Sequence, residues 1–143
     1  MNADSAMGNR FVVLHHHIGP GFQRVSDDHF DWMFERGGSL RTWATPVIDD
    51  VNDAFTLNCE PLADHRIEYL NYEGPVSGHR GNVTRVVAGT FKVIDEWPSR
   101  FLVQVNVELG DLFDKATLVF QRTSLDFDRG FDVSRADWTL SFS

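Results

Sequence analysis

The clearest pattern along the chain is alternation of apolar and polar positions over short runs, the period-two signature of β-strands. In His29-Phe-Asp-Trp-Met-Phe-Glu35, Phe30, Trp32 and Phe34 point one way and His29, Asp31, Met33 and Glu35 the other. Phe101–Leu109 alternates for nine residues, with Phe101, Val103, Val105, Val107 and Leu109 on one side. Phe11–Leu14 is a short apolar run with β-branched content, and Leu40–Thr45 reads as a strand returning after a Gly37-Gly38 turn and ended by Pro46. Thr117–Arg122 and Trp138–Phe142 complete the set. Asn82–Val87 and Thr90–Ile94 flank Ala88-Gly89, which predicts a tight hairpin there.

Helical periodicity is weak. Val47–Leu57 and Asp132–Asp137 could each carry one short helical turn, and Ser124–Arg135, rich in Asp and Arg, reads as a flexible loop. Many short strands with Gly-containing turns predict a mainly β fold: a closed or partly open β-barrel with one or two short helices. Residues 1–9 read as a polar, flexible leader, and 10–143 as a single domain. There is no internal repeat.

Composition narrows the picture. The hydrophobic fraction of 42% suffices for a real core, and no apolar run reaches the roughly 20 residues of a membrane helix. The polar N-terminus lacks the apolar segment of a secretory signal, and the single cysteine, Cys59, cannot form an intrachain disulfide. Both fit a cytoplasmic protein with no membrane partner. The net charge of −8 argues against extensive phosphate gripping by Lys and Arg, so any nucleic-acid contact must be local, metal-assisted or supported by a partner.

The candidate chemistry lies on the strands. His29 and Asp31, two apart, project from the face opposite three anchoring aromatics, a rigid platform for a divalent metal. An internal triplet, His15-His16-His17, ends the first strand. His16 faces opposite to His15 and His17, so either set could face a site, and a second imidazole completes a two-His, one-carboxylate donor group. Such a group suits metal-assisted hydrolysis and non-haem iron chemistry alike. His65 and Tyr69, four apart, share a face on either a helical turn or a strand, and together could donate to a charged oxygen or move a proton.

The order of these pieces carries a resemblance. Arg10-Phe-Val-Val-Leu-His-His16, His29-Phe-Asp-Trp-Met-Phe-Glu35, Leu40-Arg-Thr-Trp-Ala-Thr-Pro46 and Asp64-His-Arg-Ile-Glu-Tyr-Leu-Asn-Tyr-Glu-Gly74 follow one another. This resembles the 3′-phosphoesterase module of bacterial DNA ligase D, whose pattern runs FVVxxH, HxDxRLE, LKSWAVP, EDHPLEYxxFEG. Gly89-Thr-Phe91 is similar to the family's GTW or GTY strand, and Glu108–Arg122 to its GEKLxGxFxLVR hairpin. The resemblance covers residues 10–142, with four motifs in order.

It implies a compact β-barrel enzyme that trims 3′-terminal ribonucleosides and 3′-phosphates from DNA in break repair, using manganese or another divalent metal such as zinc. By position, His16, His29 and Asp31 match the family's metal ligands, His65 a catalytic His that contacts the phosphate, and Tyr69 a tyrosine of the catalytic pocket. DNA 3′ ends or primer-templates would be its substrates, with ligase and polymerase repair proteins as candidate partners. Nothing resembles a nucleotidyltransferase lysine motif, so the chain by itself is not a ligase.

Three family cations are replaced, by Met33, Val47 and Leu57. In general a charge-assisted hydrogen bond to phosphate stabilises by about 1.5–3 kcal/mol, so three such replacements weigh heavily against phosphate binding. The family's EGEYG turn reads Ser-Gly-His-Arg-Gly over Ser77–Gly81, and an insertion, Ile18–Asp28, lengthens the loop between the first two ligands. Arg24, His79 and Arg80 are the candidates to compensate. Three functions therefore compete: a metal-dependent phosphoesterase, a catalytically impaired relative acting as a metal- or partner-binding module in repair, and a two-His, one-carboxylate iron enzyme.

Overall fold

The computed structural model describes residues 8–18, 28–49, 51, 54–76, 80–123 and 137–143. Its strands are β1 (Arg10–His17), β2 (His29–Arg36), β3 (Ser39–Pro46), β4 (Phe55–Arg66), β5 (Gly74–Pro75), β6 (Asn82–Trp97), β7 (Arg100–Leu109), β8 (Lys115–Arg122) and β9 (Trp138–Phe142). A single 3₁₀ turn, η1 (Ile67–Leu70), follows β4. All pairings are antiparallel, in the order β1-β2-β3-β4-β9-β8-β7-β6-β5, and β1 also pairs with β6. That last pairing closes eight strands into a barrel, leaving β5 as a short appendage on β6. Closure satisfies the outward hydrogen bonds that an open sheet edge would leave bare.

The alternation read in β2 is what fills the barrel. Phe30, Trp32 and Phe34 join Phe11, Val13, Trp43, Phe101, Leu118, Phe120 and Leu140 in the interior. Phe34 sits at the centre, its ring 5.2–5.5 Å from those of Phe91, Phe101 and Phe120 in edge-on contacts, the geometry aromatic quadrupoles favour. Trp32 Nε1 donates to Thr45 Oγ1 at 2.9 Å, so one buried indole N–H is satisfied inside this apolar packing.

The outer face of β1–β3 is not left to water. Val12, Leu14, Met33 and Leu40 form a second apolar cluster with Leu70 of η1, Val76, Val83 and Ala88. The segment from η1 to Val76 thus lies over this face and creates a walled recess beside it.

Gly37 and Gly38 form the β2–β3 turn with φ of 62° and 87°, a pair of positive values suited to a two-residue hairpin. The hairpin expected at Ala88-Gly89 is absent. Asn82–Trp97 is one continuous strand, and the chain reverses instead after Trp97. Gly89 marks a register shift against β7, and a Cβ placed there would lie 2.0 Å from the Asn106 carbonyl oxygen. Glycine is therefore required for close backbone approach at a bulge, not for a turn. A second correction concerns Val47–Leu57: Phe55–Leu57 opens β4, and no helix forms in the described part of that stretch. Leu57 pairs with Leu140 of β9, a distant neighbour that local periodicity cannot reveal.

Asn9, within the expected leader, is tied to the barrel, its carbonyl accepting from Phe91 N at 2.8 Å. The Ser124–Arg135 loop lies outside the described residues, as does all of the second expected helical turn except Asp137. Among the described residues, no helix is long and apolar enough to cross a membrane.

Candidate metal centre and adjoining cleft

Strand register builds the first part of the site. His16 lies directly across from His29, and Leu14 across from Asp31, so both imidazoles and the carboxylate emerge on the outer face of the β1–β2 ladder. Asp31 Oδ1 is 3.2 Å from His29 Nε2, and Asp31 Oδ2 is 3.7 Å from His16 Nδ1. The two rings are 4.8 Å apart. One donor atom from each residue fits within a 4.8 Å span.

Three features fit this group to a cation. Asp31 is only 3% exposed, a deep position for a carboxylate. Its Oδ1 makes no hydrogen bond among the described residues. Finally, His16 Nε2 lies 2.6 Å from the carbonyl of Arg80, which can only accept. A proton therefore sits on Nε2, and Nδ1 is the ring nitrogen turned toward Asp31. This is the outer-shell hydrogen bond that orients metal-bound histidines. Two imidazole nitrogens and a carboxylate suit zinc, manganese or iron.

The second part is the recess beneath η1. A cleft of about 350 Å³ is lined by His16, Asp31, Met33, Asp64, His65, Arg66, Tyr69 and Arg80, among others. His65 is the penultimate residue of β4, held opposite Leu40 by strand pairing, and Tyr69 lies in η1. The expected shared face is real, with the two rings edge-on at 5.7 Å. His65 Nδ1 is 2.9 Å from the Ala63 carbonyl, so it carries the proton and Nε2 is the remaining nitrogen for chemistry.

Of the sequence-predicted residues, His16, Asp31, His65, Tyr69 and Arg80 therefore meet in one cleft. His29 completes the donor group and borders a neighbouring hollow with Asp28, Thr45 and Cys59. Arg24 and His79 lie outside the described residues. Two further cleft residues, Asp64 and Arg66, are missed by sequence reasoning, since adjacency to His65 is their only signal. Met33, where the ligase D pattern has a cation, is a 1%-exposed cleft wall. Val47 packs against the barrel core and Leu57 sits on β4 against β9.

Against known proteins, the chain is similar to two ligase D proteins. It is 33% identical over 75 residues to the multifunctional non-homologous end joining protein LigD of Mycobacterium bovis. It is likewise 33% identical over 75 residues to the multifunctional non-homologous end joining DNA repair protein LigD of Mycobacterium tuberculosis. Each match covers 52% of this chain but only 9% of the relative. No family model matches the chain.

Proposed function

We propose that this chain is a metal-dependent phosphoesterase that trims 3′-ribonucleoside or 3′-phosphate ends of DNA in break repair. One observation carries the proposal: a single cleft holds two members of a His₂Asp donor group together with His65, Tyr69 and two arginines. The similarity to part of LigD supports the repair setting, and the cytoplasm is the compartment in which it would act.

His16, His29 and Asp31 would hold the ion, manganese or another divalent metal such as zinc. A bound ion there supplies Lewis-acid stabilisation of a phosphate oxygen. The remaining work falls to the chain. His65, with Nδ1–H committed to Ala63, exchanges protons through Nε2 and, when protonated, donates to the leaving oxygen. Tyr69 offers a hydroxyl to a phosphate oxygen from the η1 side. Arg66 and Arg80 take the place of the cations that Met33, Val47 and Leu57 replace. With a net charge of −8, long-range attraction for DNA is weak, so recognition is confined to the 3′ end or assisted by ligase and polymerase partners.

A second reading, a catalytically impaired module that binds metal or a repair partner, is favoured by Met33 at the cleft wall. The deciding experiment incubates the protein with manganese and a labelled primer–template ending in a 3′-ribonucleotide or 3′-phosphate, beside Asp31→Asn and His65→Ala. Trimming that falls at least about 100-fold in both variants supports the phosphoesterase. Manganese binding without trimming supports the binding module.

A further inference from the structure

We propose that His15, His17 and Asp28 form a second metal site, on the opposite face of β1 from His16, taking a zinc-class cation through two imidazole nitrogens and one carboxylate oxygen. The triplet alternates across the strand, so the same three residues serve two faces. His15 lies across from Phe30, with its ring 5.5 Å from that core aromatic, which places it at the mouth of the barrel interior.

The distances are those of a coordination polyhedron more than of an ordinary ion pair. Zinc–nitrogen and zinc–oxygen bonds of about 2.1 Å at tetrahedral angles put neighbouring ligand atoms about 3.4 Å apart. His15 Nε2 and His17 Nδ1 each lie 3.4 Å from the same oxygen, Asp28 Oδ2. That is long for a charge-assisted hydrogen bond, which closes to about 2.7–2.9 Å. His15 Nε2 is moreover buried, with no hydrogen bond among the described residues. The two imidazoles stack at 3.7 Å with planes 19° apart, so one ring must turn about its side-chain bonds for both lone pairs to meet the same ion.

Each flanking ligand is also held from behind. Asp28 Oδ1 accepts from Ile18 N at 2.9 Å, which turns Oδ2 toward the histidines. His17 Nε2 lies 3.3 Å from Thr84 Oγ1 on β6, leaving Nδ1 for the ion. Outer-shell partners of this kind fix ring orientation in metal sites. An ion held here would clamp the end of β1 to the start of β2, and its geometry is independent of the proposed phosphoesterase chemistry.

The test is zinc stoichiometry of the whole chain by equilibrium dialysis, with ring-nitrogen NMR shifts of the histidines. Wild type should take two equivalents, and Asp28→Asn or His17→Ala one, with about 100-fold weaker binding of the other. Asp31→Asn should lose the other equivalent and keep zinc-induced shifts at His15 Nε2 and His17 Nδ1. If instead Asp28→Asn keeps every equivalent that wild type binds, or the His15 and His17 nitrogens do not shift with zinc, the site is an ion-pair cluster and the proposal falls. One wild-type equivalent, lost in Asp28→Asn but kept in Asp31→Asn, would uphold this site and remove the one at His16.

Discussion

His29 Nε2 stands 3.2 Å from Asp31 Oδ1, and that oxygen, in a carboxylate only 3% exposed, has no hydrogen-bond partner among the described residues. A carboxylate oxygen buried without a hydrogen bond costs folding free energy unless a cation meets it. Asp31→Asn keeps the shape and removes the charge. The metal-free variant should therefore be more stable than metal-free wild type, by about 1–2 kcal/mol. Manganese or zinc should stabilise wild type by mass action and leave the variant almost unmoved, with affinity at least about 100-fold weaker. Thermal melts of both proteins with chelator and with metal check both halves. A variant less stable than wild type in chelator would show that Asp31 is a structural carboxylate.

Gly89 makes a prediction of the opposite kind. A Cβ there would lie 2.0 Å from the Asn106 carbonyl oxygen and 3.1 Å from Glu108 N, both backbone atoms of the neighbouring strand. Neither can swing aside as a flexible side chain could. Gly89→Ala should cost more than about 3 kcal/mol, or force β6 and β7 apart. Urea denaturation measures it, and a loss under about 1 kcal/mol would mean that the bulge relaxes freely.

The same glycine shows where sequence reasoning stops. Alternation in β2 discloses the aromatic core and the His29–Asp31 face together, because both depend only on residues two apart. Gly89 reads as a turn because its requirement comes from β7, which no local pattern encodes. β4 is hidden for a related reason. Its first half pairs with β9 and its second with β3, and Pro61 interrupts its alternation, so it lacks a single clean period. The donor group at His16 is legible from motif order. Arg80 reads in the sequence only as a phosphate contact, because the hydrogen bond from His16 Nε2 to its carbonyl is a backbone interaction with no residue-type signature. Asp28 precedes His29 in plain view, but only the β1–β2 register sets it against His15 and His17.

Cys59 offers a pH test that does not depend on any ligand. Burial pushes its thiol up from 9.0 to about 12, since the thiolate is the form penalised by desolvation. The unfolded chain releases this proton near pH 9, while the folded chain holds it until about pH 12. The native state is therefore favoured fully below pH 9, and the advantage is lost as pH rises from 9 toward 12. Cys59→Ala should flatten the decline of stability measured between about pH 8.5 and about pH 10.5, a range that spans the ordinary thiol value. An unchanged slope would place the alkaline sensitivity elsewhere. Near neutral pH the native thiol should also resist iodoacetamide, which needs the thiolate, far more than the unfolded chain does.

The cleft arginines decide whether the missing cations have been replaced. Arg66 follows His65 at the end of β4, is exposed, and lines the cleft that holds His16 and Asp31. If it grips the substrate phosphate, Arg66→Ala should lower kcat/KM for a 3′-phosphate end about 10- to 100-fold, the worth of one charge-assisted hydrogen bond. Metal affinity should stay unchanged, because Arg66 is not among the donors. Arg66→Lys should recover part of the loss, since an ammonium keeps the charge but not the planar two-pronged geometry. A distant solvated arginine would give a different result: a change within about twofold that disappears as salt rises past the screening range. Measuring kcat/KM for the three proteins at low and high salt separates the two. A salt-resistant loss in Arg66→Ala, partly restored by lysine, would mean that the phosphate is now gripped from β4 instead of from the β2 position that Met33 occupies.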